Sequence, residues 1–247
     1  MHNTEEKNYI FGIRAIIEAV ETGKTIDKLF IQKGLHNDLF EKLWKLVREK
    51  RINYKHVPLE KINRLTRKNH QGVFAFISPI DFHNIEDVIP KLYEEGKNPL
   101  VLVLDRITDV RNFGAIARTA ECAGVNAILI PEQNSAAINA DAIKTSAGAL
   151  HKVTVCRTWN LKLALQFMKE SGIQLIGCTE KSQEDMYKSD YTTPTALVIG
   201  SEEDGVSPEF LKMCDARAKI PMNGKIASLN VSVATGVILY EVIRQRG

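Results

Sequence analysis

Apolar positions in the first third of the chain fall into short blocks of two kinds. Ile10, Ile13, Ile16, Ile17 and Val20 return at helical spacing, and Gly23 is placed to stop that helix. Leu29, Phe30 and Ile31 run on without a polar break, as a short buried strand does. Asn37 opens a second helix that carries Leu39, Phe40, Leu43, Trp44 and Val47 on one stripe. Tyr54 to Val57 reads as a strand. Pro58 starts a short helix through Leu65, since a first turn tolerates proline, and the strand Gly72 to Ile77 closes a compact αβ unit.

Ser78 to Asn98 reads as a connector, with Pro79, Pro90 and Gly96 around one short amphipathic helix from Ile85 to Tyr93. Beyond it, strand and helix alternate. Strands are expected over Leu100–Leu104, Ala127–Ile130, Val153–Cys156, Ile173–Cys178, Ala196–Ile199 and Ala218–Ile220. Helices are expected over Asn112–Ala123, Ile138–Ser146 and Leu161–Glu170, from Pro208, and over Leu229–Arg246. That alternation predicts an α/β fold with a mostly parallel sheet and helices on both faces. The expected layout is a small αβ domain of residues 1–77, a linker of 78–98 and a larger domain of 99–247.

Composition adds little to this and excludes some classes. With 44% hydrophobic and 26% charged residues, 247 residues can bury a core without a disulfide or metal staple. The net charge of +3 is modest for a nucleic-acid binder. It is unevenly spread, however. Lys24, Lys28, Lys33, Lys42, Lys45, Arg48, Lys50, Arg51, Lys55, Lys61, Arg64, Arg67 and Lys68 crowd one stretch, as a phosphate-facing surface or as a plain solvated face. Cys122, Cys156, Cys178 and Cys214 are widely spaced and sit in apolar contexts, so reduced, buried thiols and a cytoplasmic setting are expected. Met1 to Asn8 is polar, unlike a secretory signal, and no apolar run approaches the roughly 20 residues of a membrane span.

Three loops follow apolar strands and are rich in glycine or polar residues, where open α/β sheets bind ligands. In Leu104–Val125, Asn112 is placed to cap a helix and Arg118 lies near its middle. In Leu197–Phe210, Gly200 and Gly205 bracket Ser201, Glu202, Glu203 and Asp204, a spacing that permits close backbone approach to a ligand. In Lys219–Arg246, Ile220, Pro221, Met222, Asn223 and Gly224 precede Ser228 and Asn230 at the start of the last helix. The first turns of that helix hold the small residues Ser232, Ala234, Thr235 and Gly236. Taken singly, each loop also fits a structural role: a cap, a surface turn, a tight packing seam.

Together they carry a resemblance. NFGAIAR, GSE and SLNVSVATG, in this order and at these separations, resemble the three motifs of the SpoU/TrmH ribose methyltransferases of the SPOUT superfamily. The first domain, with NHQGVFA at Asn69–Ala75, is similar to the substrate-binding domain of the bacterial 23S rRNA guanosine 2'-O-methyltransferases. One departure is Glu203, followed by Asp204, where many family members have glycine after the second-motif glutamate.

The resemblance implies a C-terminal domain tied in a deep trefoil knot, a rare exception among folds. It also implies S-adenosylmethionine as cofactor, bound bent among the knot loops. Carried over by position, cofactor contacts fall on Gly200, Ile220 and Leu229, with Thr179 and Met222 beside them; Ile220, Met222 and Leu229 suit an adenine slot. Arg118 would orient the ribose 2'-hydroxyl and stabilise developing negative charge, since an arginine is a poor base. Asn112 and Glu202 would orient Arg118 and the ribose, and Ser228 and Asn230 would complete the pocket. The partners implied are structured RNA, most of all ribosomal RNA, and a second copy of the chain as a homodimer; neither a membrane nor a metal is implied. The apolar spread of Val231, Val233, Val237, Ile238, Leu239, Tyr240, Val242 and Ile243 around the last helix supports a covered surface, with Phe113, Ile116 and Ala117 expected beside it.

Competing readings come from other classes. A dinucleotide-dependent oxidoreductase would want G-x-G-x-x-G after a strand, and the chain has none. A non-catalytic RNA-binding protein would not need Asn112, Arg118, Glu202, Ser228 and Asn230 together. An enzyme acting on transfer RNA, or on another ribosomal RNA site, stays open.

Overall fold

The computed structural model describes residues 9–50, 52–225 and 228–247, so Met1–Asn8 and Arg51 from the sequence reading lie outside the described residues. The chain divides into two compact units, one ending at Asp81 and taking in Ile138–Ala140, the other comprising Phe82–Ala137 and Asp141–Gly247.

The first unit is built from β1 (Tyr9–Phe11), α1 (Ile13–Glu21), β2 (Ile26–Gln32), α2 (Asp38–Glu49), β3 (Tyr54–Val57), α3 (Leu59–Leu65) and β4 (Val73–Ile77). Its sheet runs β1-β4-β2-β3, antiparallel except for the β2–β3 pair. Ile10 belongs to β1, paired with Ala75, and not to the first helix as expected. The break is Gly12, whose φ of +89° a β-carbon would strain. Alternation along the strands separates two faces. Leu29 and Ile31 meet Ile16 of α1 and Leu43 of α2, whereas Phe30 and Phe74 meet Val57 and Ile62.

The second unit contains α4 (Ile85–Glu94), β5 (Leu100–Leu104), α5 (Val110–Cys122), β6 (Ala127–Pro131), α6 (Ala140–Thr145), β7 (Thr154–Thr158), α7 (Leu161–Glu170), β8 (Gln174–Cys178), β9 (Thr195–Ile199), α8 (Pro208–Met213), β10 (Ala216–Ala218) and α9 (Val231–Arg246). All six strands are parallel, in the order β10-β8-β9-β5-β6-β7. The two central strands, β5 and β9, are buried at every residue, which is why they read as unbroken apolar runs. On one face Val101, Val103, Ala196 and Val198 pack with α4, α7 and Phe210 of α8. The alternate residues Leu102, Ile128 and Leu197 point the other way, where α5 and α9 pack together.

Three expectations shift. The last strand is Ala216–Ala218, not Ala218–Ile220, because β8 ends at Cys178 opposite Ala218 and Lys219 bridges to Asp185 instead; Ile220 lies in the loop beyond the strand. The expected helix Ile138–Ser146 is shorter, Ala140–Thr145. Of the cysteines, Cys156 is buried, Cys178 and Cys214 are half-buried, and Cys122 is exposed because it ends α5 on the solvent side.

Candidate active site

The functional loops collect where β8, β9 and β10 end, beside the point at which the strand order reverses at β5. The loop after β9 folds back on itself. A β-carbon on Gly200 would lie 1.9 Å from the Gly205 carbonyl carbon, so only glycine fits there. Ser201 closes the turn, its carbonyl accepting from Gly205 N at 2.9 Å and its hydroxyl from Asp204 N at 3.2 Å.

The extra acid in this loop has a partner. Arg106, held at φ +60°, donates to Asp204 Oδ2 at 2.8 Å and to the Gly205 carbonyl at 3.0 Å. Its neighbour Asp105, fully buried, accepts from Ser207 N at 2.7 Å. Asp105 and Arg106 thus fasten the second-motif loop to the end of β5, and Asp204 serves that closure while Glu203, also exposed, lines the cavity beside the loop. Asp105 was legible as a polar residue ending an apolar strand; nothing in the sequence marked Arg106.

Asp109, not Asn112, caps α5, accepting from Asn112 N at 2.7 Å. This places Asn112 in the first helical turn and frees its side chain. Asn112 Nδ2 donates to Glu202 Oε2 at 3.2 Å, Asn230 Nδ2 donates to Glu202 Oε1 at 2.9 Å, and Asn230 Nδ2 also donates to Asn112 Oδ1 at 3.0 Å. Asn230 caps α9 with its other end, Oδ1 accepting from Ser232 N at 3.0 Å and from Ser232 Oγ at 2.6 Å. All four hydrogen-bonding positions of the Asn230 amide are used, which fixes its orientation. Residues 90 and 118 positions apart from Asn112 are joined in one triangle.

Beside this triangle lies a cavity of about 250 Å³, lined by Thr179, Gly200, Glu202, Ile220, Met222, Ser228 and Leu229 among others. Nine of the ten residues expected from the sequence are therefore at the triangle or the cavity: Asn112 and Asn230 in the first, Thr179, Gly200, Ile220, Met222, Ser228 and Leu229 in the second, and Glu202 in both. Arg118 is the exception. It is exposed on α5, roughly 9 Å further along the helix axis than Asn112 at 1.5 Å per residue. No hydrogen bond or ion pair joins it to another described residue, and it does not line the cavity.

The cavity's lining is of two kinds. Ile220, Met222, Leu229, Val231, Ala234 and Ile238 supply apolar lining, and Glu180, Glu202 and Glu203 supply carboxylates. Cys178, expected from the sequence only as a reduced, buried thiol, also lines it; burial pushes that thiol up, so it stays protonated and neutral. Among the described residues no group of three or more His, Cys, Asp or Glu is arranged to hold a metal ion. No helix of the described residues is long and apolar enough to cross a membrane.

The lining suits S-adenosylmethionine: an apolar slot for adenine, backbone groups brought close by Gly200, and carboxylates facing a sulfonium and an ammonium.

Comparison with known proteins converges on the same point. Residues 99–240 match the SpoU rRNA Methylase family, and residues 9–83 match the domain described as RNA 2'-O ribose methyltransferase substrate binding. A protein of Bacillus subtilis (strain 168), named as a TrmH family tRNA/rRNA methyltransferase, is 33% identical over 243 residues, 98% of either chain. One of the same name from Staphylococcus saprophyticus is 34% identical over 241 residues, 98% of this chain and 97% of the relative. The crystal structure of the SpoU methyltransferase AviRb from Streptomyces viridochromogenes in complex with AdoMet superposes with a TM-score of 0.62 at 25% identity, over 96% of this chain and 90% of that one. The A. aeolicus TrmH/SpoU tRNA modifying enzyme has a TM-score of 0.56 and 35% identity, over 66% of this chain and 84% of that one. The chain belongs to the SpoU family of S-adenosylmethionine-dependent RNA methyltransferases.

Proposed function

We propose that this enzyme methylates the 2'-hydroxyl of a ribose in RNA, at a guanosine of 23S ribosomal RNA. The observation that carries the reading is the Asn112–Glu202–Asn230 triangle beside a cavity lined by apolar side chains and carboxylates. When bound, S-adenosylmethionine would supply a methyl group from its sulfonium sulfur to O2', and the hydroxyl proton would pass to solvent water. The chain's own residues position that exchange. Each Glu202 oxygen accepts an amide proton, so Glu202 holds the two asparagines in place. Asn112 and Ser228 orient the ribose, and Asn230, its amide fully engaged, completes the pocket. Arg118 steadies the oxygen as negative charge develops on it, aided by an RNA phosphate.

Because Arg118 stands outside its own chain's cavity, the reading includes a homodimer in which it serves a site shared with a partner. Val233 and Tyr240, more than half exposed, lie with Val237 on one stripe of α9, and α9 packs on α5, which carries Arg118. Phe113, Ile116 and Ala117, expected at that interface, are instead buried in their own chain's core, since they form the inward stripe of α5.

The division of labour follows the layout of 1–77, 78–98 and 99–247. The first part binds structured RNA and the last carries the chemistry within a knotted backbone. Exposed Lys33, Lys55, Lys61, Arg64, Arg67 and Lys68 support the former. The knot is carried over from the family resemblance, and α9 packing on α5 through its small residues is compatible with it. The setting is the cytoplasm, where buried thiols stay reduced.

Transfer RNA is the second reading, favoured by the 35% identity to the A. aeolicus tRNA modifying enzyme. One experiment separates the two. The purified protein is incubated with labelled methyl donor and either ribosomal or transfer RNA, and the RNA is digested to nucleosides. Label in 2'-O-methylguanosine from 23S RNA is expected. Label confined to transfer RNA moves the assignment to the second reading, and label on a base in either RNA sinks both.

A further inference from the structure

A second cleft, of about 610 Å³, opens beside the first turn of α5 and is lined by Thr108, Asp109, Val110, Arg111, Asp141, Lys144 and Thr145. It is formed by an unusually close approach of two helices. A β-carbon on Gly114 would lie 2.7 Å from Thr145 Cβ and 3.0 Å from the Ala142 carbonyl oxygen, so the Thr145 side chain and the Ala142 carbonyl of α6 press on the α5 backbone itself at Gly114. Arg111, one turn before Gly114, and Lys144 then line the same opening.

Three charges in this cleft are uncommitted. Arg111, Lys144 and Asp141 are exposed, and none of their side chains has a hydrogen bond or ion pair to another described residue. Asp109 is spent on capping α5. The next residue after Arg111 is Asn112, a corner of the triangle at the cofactor cavity. Two free cations and one free carboxylate, the first of them next to Asn112 in the chain, match a ribonucleotide unit. The cations meet a phosphate, and the carboxylate accepts from a ribose hydroxyl or a base N–H.

We propose that this cleft seats the nucleotide adjoining the methylated one, with Arg111 and Lys144 gripping the phosphate between them and Asp141 taking a hydrogen bond from the nucleoside. The inference rests on the reading of RNA as substrate and deepens it. The cleft sets the register of the strand, so that one 2'-hydroxyl and not its neighbour faces the methyl donor.

The test uses the full-length chain with Arg111→Ala, Lys144→Ala and the double variant. Lys162→Ala, on α7 across the sheet, is the control. Affinity for the methylated RNA is measured against salt, methyl-donor affinity by calorimetry, and kcat and KM by methyl transfer. Removing one phosphate-binding cation from a single-strand site lowers the slope of log affinity against log salt by about 0.7, so the double variant is expected to show a slope lower by about 1.4. Its KM for RNA should rise at least tenfold, with methyl-donor affinity and the control unchanged. Asp141→Asn should leave the salt slope alone and spread methylation onto neighbouring riboses. If the wild type methylates RNA and the double variant matches it in slope and KM, the inference is overturned and the substrate reading stands. A double variant that loses methyl-donor affinity as strongly as RNA affinity overturns it too, by showing a structural role. A wild type that methylates no RNA overturns both.

Discussion

At the residue scale the site rests on side chains whose hydrogen-bonding capacity is spent in known ways, with one left over. Asn112, Glu202 and Asn230 satisfy one another, while Arg118 has no partner among the described residues. A guanidinium kept free in solvent costs nothing to hold and is available to a substrate. Arg118→Ala should therefore cut kcat about a hundredfold or more, the usual cost of one charge-stabilising donor, with cofactor affinity unchanged by calorimetry. Arg118→Lys should not rescue it, because an ammonium cannot copy the planar fork. Near-normal turnover of the lysine variant would refute the assigned role. The sequence placed Asn112, Glu202 and Asn230 in one motif set, yet it could not say that they touch. It also assigned the α5 cap to the wrong residue. Asp109 and Asn112 both favour caps, and only the path of the chain into the helix chose between them.

At the scale of elements two devices hold the site. The first is the backbone closure at Gly200. Gly200→Ala would drive a methyl group into the Gly205–Val206 peptide, costing about 1–3 kcal/mol by overpacking and moving the loop that lines the cavity. The variant should fold with a lowered Tm and bind S-adenosylmethionine at least tenfold more weakly; calorimetric affinity equal to wild type would contradict this. The second is the C-terminal clasp. Arg244 and Gln245 hydrogen bonds hold Glu241, buried in α9, down at about 2 from an ordinary value of 4.5. Because the folded value is the lower one, this stabilisation is complete above about pH 4.5 and is lost as the pH falls toward 2. Tm measured from pH 6 to 2 should fall less steeply in Glu241→Gln than in wild type below pH 4.5; parallel curves would remove Glu241 from the acid response. Most elements were legible from period and punctuation. Ile10 was not, because a three-residue strand beside a helix offers too few positions to show a period of two.

At the scale of the whole molecule, the proposed homodimer rests on the stripe of exposed Val233 and Tyr240 with half-buried Val237, and on the outlying Arg118. Sedimentation at micromolar concentration should report twice the chain mass, and Val233→Glu with Tyr240→Glu should yield folded, inactive monomers. A fully active monomer would sink the shared site. The sequence by itself determined the alternation of strands and helices, hence a parallel sheet, and the composition of three loops at strand ends. Those properties are local, since period, caps and glycines act within a few residues. Tertiary structure alone decided which loops meet. The strand order β10-β8-β9-β5-β6-β7 brings the ends of β5 and β9 together across nearly a hundred residues. It lets Arg106 clasp Asp204 and buries Phe113, Ile116 and Ala117 inside the chain where sequence had them facing a partner. Strand order is chosen by the packing of all the elements at once, and no local pattern encodes it.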